Sequence, residues 1–109
     1  MRGLDQMPGK HVGVRARVSS SNLLAVKKAL EEATPGCAVS QEGDELILEG
    51  HLNGGSAKEL NRSLLSAMRR VEKRTRLRAE WTTEEGTVER YFDYVLKKTT
   101  DVSSNIARS

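Results

Sequence analysis

Apolar and polar residues alternate from Val12 to Val18, where Val12, Val14, Ala16 and Val18 are separated by Gly13, Arg15 and Arg17. A period of two with β-branched residues predicts a half-buried strand. The pattern then changes. In SSSNLLAVKKALEEATPG, Leu23, Val26, Leu30 and Ala33 recur at helical spacing, with Lys27, Lys28, Glu31 and Glu32 elsewhere on the helix. The Ser/Asn cluster supplies an N-cap, and Pro35-Gly36 stops the helix. Cys37 to Ser40 form a short strand, and Glu42-Gly43-Asp44 is turn chemistry. Leu46, Leu48 and Leu52 alternate with Glu45, Ile47, Glu49 and His51, which predicts a second strand of this hairpin. Asn53-Gly54-Gly55 breaks the strand, and Ser56 opens a second helix near 56–74. Ser56 and Glu59 have capping-box spacing, and Ala57, Leu60, Leu64, Met68 and Val71 form the apolar stripe. Leu77, Ala79 and Trp81 then alternate with Arg76, Arg78 and Glu80, giving a further strand.

The resulting order, β-α-β-β-α-β, predicts an α+β fold of the ferredoxin-like, split βαβ type. In that fold an antiparallel sheet carries both helices on one face. Residues 87–98 read two ways. Val88, Tyr91, Phe92 and Val95 fit a helical face capped by Thr87, whereas Glu84-Glu85-Gly86 and the aromatic content fit a hairpin turn into a strand. The helical period fits the apolar residues better, so a C-terminal helix is the preferred expectation and a strand the alternative. Residues 1–10 contain Gly3, Pro8 and Gly9, lack periodicity and are expected to form a flexible arm. Residues 102–109 are expected to form a flexible tail. A single domain is expected over 11–101, in line with a chain of 109 residues.

Composition narrows the setting. No apolar run is long enough to span a bilayer, and the N-terminus lacks the apolar core of a secretory signal. Cys37 is the only cysteine, so no internal disulfide forms, and a cytoplasmic protein is expected. The net charge is only +3, but it is unevenly placed. RRVEKRTRLR, residues 69–78, holds six Arg or Lys, whereas EGDELILE, residues 42–49, holds four acids and no base.

Neither His11 nor His51 has a partner at zinc-ligand spacing. The acids between Glu42 and Glu49 do not follow a calcium-loop pattern, and Cys37 has no base nearby in sequence. Asn53-Gly54-Gly55-Ser56 lacks the phosphate-loop spacing and reads as a tight strand-to-helix connection. No nucleophile–base–acid set stands out. No catalytic residue, metal or cofactor is therefore expected. The arginines are different. On the predicted order the last strand lies beside the first, so Arg15, Arg17, Arg76 and Arg78 share the sheet face opposite the helices, where they can meet phosphates. Pairing with Glu49 and Glu80 is the competing use of these arginines, and the first and third strands lack the stacking aromatics of the common RNA-reading sheets.

The run GDELILEGHLNGGSAKELNRSLLSAMRRVEK, about a third of the chain, resembles a strand and long helix of the small dimerising subunit of the KEOPS tRNA-modification complex. Gly43-Asp44 and Leu60-Asn61-Arg62-Ser63-Leu64-Leu65 carry the resemblance. It implies a non-catalytic homodimer that helps position tRNA. The chain departs from that family by continuing through TRLRAEWTT and an aromatic segment. The preferred expectation is a small non-catalytic binding or assembly module that self-associates as a homodimer through an exposed sheet, with Ile47, Trp81, Phe92 and Tyr94 supplying apolar surface. The alternative is an RNA-associated protein using the arginine face.

Overall fold

The computed structural model describes residues 10–101. The expected arm and tail lie outside these residues, except that Lys10 already begins a strand. The elements are β1 (Lys10–Ser20), α1 (Leu23–Ala33), β2 (Ala38–Glu42), β3 (Glu45–Gly54), α2 (Ala57–Val71), β4 (Thr75–Thr82), β5 (Thr87–Phe92) and β6 (Val95–Asp101). All six strands join one antiparallel sheet in the order β2-β3-β1-β4-β5-β6. The described residues are thus α+β, with a six-stranded antiparallel sheet and two helices.

Local chemistry sets the helix limits. Asn22 Oδ1 accepts from Ala25 N, and Ser56 Oγ accepts from Glu59 N, which satisfies free amides of the two first turns. Thr34 closes α1 by donating from Oγ1 to the Leu30 carbonyl. The second helix ends at Val71, short of the expected residue 74. Thr75 Oγ1 donates to the Glu72 carbonyl, and Arg69 Nε donates to the Thr75 carbonyl. These bonds turn the chain into β4, so Lys73 and Arg74 lie outside the helix.

One face of the sheet is dry. Val12, Val14, Ala16 and Val18 of β1, Leu46 and Leu48 of β3, and Leu77, Ala79 and Trp81 of β4 pack against Val26 and Leu30 of α1 and Leu64, Leu65 and Met68 of α2. Gly50 lets β3 pass close to the α1–β2 connection: a Cβ there would come within 2.6 Å of Cys37 Sγ. The molecule is only 21 Å through its thinnest dimension, the depth of one sheet and one helix layer. The second sheet face has no layer over it among the described residues.

The preferred helix over 87–98 does not form. Thr83 N donates to the Thr87 carbonyl, Gly86 N donates to the Thr83 carbonyl, and Gly86 takes φ 91, so this turn feeds a strand. Asp93 and Tyr94 then connect β5 to β6 as a two-residue hairpin loop, with Phe92 opposite Val95. Asp93 accepts a φ of 55, which Asp tolerates better than most residues. The helical period misleads because apolar residues occupy both sides of β5. Tyr91 is buried in the core, while Phe92 is exposed on the opposite side.

The new hairpin is fixed by a polar hub at the end of β4. Buried Asn61 of α2 accepts from Trp81 Nε1 at 3.0 Å and donates to the Asp93 carbonyl at 2.7 Å. Asp93 N donates to the Leu77 carbonyl at 2.7 Å, and Leu77 N donates back to Asp93 Oδ1 at 3.0 Å. Arg76 and Arg69 close on the same carboxylate at 2.8 and 3.4 Å. Truncating Asn61 strands a buried donor and a carbonyl at once. Asn61→Ala is expected to cost about 2–4 kcal/mol in urea unfolding and to speed amide exchange across residues 87–101. A cost under about 1 kcal/mol, with unchanged exchange, would contradict this.

Candidate functional site

Strand register arranges the uncovered face in rows. From β3 to β5, one row reads Glu49, Arg15, Glu80, Arg90, and the next reads Ile47, Arg17, Arg78, Phe92. Their core-facing neighbours Ala16, Ala79 and Tyr91 are buried, as alternation requires. The face dips into a trough of about 630 Å³ that runs from Ser40 and Glu42 of β2 to Arg90 and Phe92 of β5. Glu42 and Glu49 line its β2–β3 side, with Glu45 paired beside Glu42. Arg90 and Phe92 mark the other side, with Lys98 paired beside Arg90 and Lys97 over the Phe92 ring at 5.8 Å. The trough is therefore acidic at one sheet edge and basic at the other.

The four arginines singled out in the sequence divide in use. Arg15 and Arg17 lie on the open face and pair with Glu49 at 3.0 Å and Glu45 at 2.9 Å. Arg76 sits at the rim and is drawn to Asp93. Glu80 pairs with Arg90 at 2.8 Å instead of with the predicted four. Arg78 has no carboxylate partner among the described residues. It faces Arg17 across the strand pair and lies over the Phe92 ring, its guanidinium carbon 5.4 Å from the centroid. Exposed pairs such as Arg15–Glu49, whose side chains are 73% and 53% accessible, contribute only about 0–1 kcal/mol. They are easily exchanged for partners on another molecule.

The apolar part of the expected surface needs correction at two residues. Trp81 is fully buried on the helix side and offers nothing to the open face. Tyr94 also turns away, with its hydroxyl 3.2 Å from Ser66 Oγ of α2 and its ring beneath Arg69. Ile47 and Phe92 stay on the open face, and Val95, paired with Phe92, extends this patch to the sheet edge. The sequence reading did not place Arg90, Glu45 and Lys97 at the site. Finding Arg90 and Lys97 requires the β5–β6 hairpin and its register, whereas Glu45 follows from the alternation of β3, which puts it on the side of Ile47 and Glu49.

Cys37 lies at the β2 end beneath β3, where burial pushes its thiol up and disfavours the thiolate. Among the described residues, no group of three or more His, Cys, Asp or Glu is placed to hold a metal ion. No helix among them is long and apolar enough to cross a membrane. The chain matches no family model, no curated protein and no solved structure.

Tyr91, beneath the trough, ties its stability to pH. Burial, then the hydrogen bond to Glu89 at 2.8 Å, pushes its hydroxyl from 10.0 up to about 12. A raised folded-state pKa favours the protonated form, so its contribution is complete below pH 10 and is lost as pH rises towards about 12. Wild type is expected to lose stability relative to Tyr91→Phe across that window in denaturant titrations. A constant difference between the two from pH 8 to pH 12, on either side of the interval set by the shift, would contradict this.

Proposed function

We propose that the chain is a small non-catalytic binding module that self-associates through the open face of its sheet. The observation that carries this reading is the uncovered trough, in which Ile47 and Phe92 stand half-buried and exposed among charges of both signs, with exposed Val95 paired beside Phe92. Apolar anchors inside a polar rim are the make-up of a protein interface. The order β2-β3-β1-β4 and the helices against the dry face support reading the first six elements as the split βαβ unit, extended by β5 and β6. The run that resembles the dimerising KEOPS subunit forms β3 and α2, and the resemblance itself is what suggests assembly as the role.

Binding of RNA is the second reading, and Arg78 favours it. An arginine without a carboxylate partner, set over an aromatic ring, can meet a phosphate or a base. Arg15, Arg17 and Arg76 must first leave Glu49, Glu45 and Asp93.

Light scattering after size exclusion separates the two readings. Wild type is expected to be dimeric at about 100 μM. Phe92→Asp, at an exposed position, is expected to remain folded and weaken the dimer by about tenfold or more. A labelled RNA oligonucleotide at about 50 mM salt, where phosphate contacts are strongest, tests the second reading. A monomeric wild type that binds RNA there, and loses binding in Arg78→Gln, would replace self-association with RNA binding.

A further inference from the structure

The central row of the open face reads acid, base, acid, base: Glu49, Arg15, Glu80, Arg90. Reversed, it reads base, acid, base, acid. Such a row is complementary to a second copy of itself laid in the opposite direction. The neighbouring row has apolar ends, so reversal sets Ile47 against Phe92. We infer that two copies associate face to face about a two-fold axis parallel to the strands and lying between β1 and β4.

This inference rests on the self-association reading and adds its geometry. Only a two-fold axis of that direction lays the acidic β2–β3 side over the basic β5–β6 side. A two-fold axis across the strands would lay each side over its own copy, acid on acid and base on base. In the proposed arrangement Glu49 faces Arg90 of the second copy, Arg15 faces its Glu80, and Ile47 faces its Phe92, each contact occurring twice. Arg17 faces the second copy's Arg78, the like-charge pairing of this arrangement. Glu45 and the Phe92 ring already engage them within each chain.

The sheet edges do not compete well for the second copy. The outer strand β6 carries Lys97 and Lys98 beside a register shift at Arg90/Tyr91, both features that discourage strand addition. The opposite edge strand, β2, is only five residues long. The face is therefore the extended surface on which opposite charges can meet.

Charge exchange tests the axis. Glu49→Arg alone sets Arg against Arg90 twice, and Arg90→Glu alone sets Glu against Glu49 twice. Each variant is expected to dimerise at least about tenfold more weakly than wild type, with its circular dichroism and urea midpoint little changed. An equimolar mixture restores both contacts, because position 49 of one variant then meets position 90 of the other with opposite charge. The mixture is expected to form a heterodimer, identified by native mass spectrometry, within a few-fold of wild-type affinity. If both variants dimerise like wild type, or the mixture stays as weak as each variant alone, this axis is overturned while self-association stands. A monomeric wild type overturns both.

Discussion

The carboxamide of Asn61 meets two demands that an apolar side chain cannot. It accepts from the indole N–H of fully buried Trp81 and donates to the carbonyl of Asp93. Trp81 is the largest side chain in the core, and its N–H needs an acceptor where no water reaches. Asp93 is the first residue of the loop between β5 and β6. One amide therefore joins the centre of the core to the last hairpin. The exchange of bonds between Asp93 and Leu77 then fixes that hairpin to β4. Without this hub, β5 and β6 would be held mainly by the ladder to β4 and by Tyr91.

The trough depends on that attachment. Its basic side consists of Arg90, Phe92 and the lysines of β6, all carried by the hairpin. The acidic side consists of β2 and β3 residues, which the core holds directly through Leu46 and Leu48. The polarity of the open face thus arises from a topology that places the acidic segment 42–49 and the side chains of Arg90, Lys97 and Lys98 at opposite ends of one sheet. A net charge of +3 does not reveal this separation. Exposed ion pairs contribute little to folding, so the alternating row adds little to stability.

Much of the fold was legible in the sequence. The alternation of Val12–Val18, Leu46–Leu52 and Leu77–Trp81 located three strands because each has one buried and one solvated side. Ser56 and the Asn22 region located the helix starts through capping chemistry. The helical period over 87–98 misleads because Tyr91 is inside and Phe92 outside, which removes apolar–polar alternation from β5. The placement of Arg15, Arg17 and Arg78 on one face followed from the periodicity and the strand order. Their partners did not. Glu45 reaches Arg17 on a diagonal, and Glu80 is taken by Arg90, a residue whose position depends on the unforeseen hairpin. Trp81 was assigned to the surface patch although its alternation with Arg78 and Glu80 puts it on the dry side.

The open face, completed by the hub-anchored hairpin, is the surface proposed for self-association. A dilution series of backbone amide spectra tests it most directly. The account predicts concentration-dependent shifts at Ile47, Arg78, Arg90 and Phe92, with the amides of exposed Lys28 and Lys58 on the two helices unmoved. Shifts confined to the helices, or none on the open face over a range in which the mass changes, would contradict it.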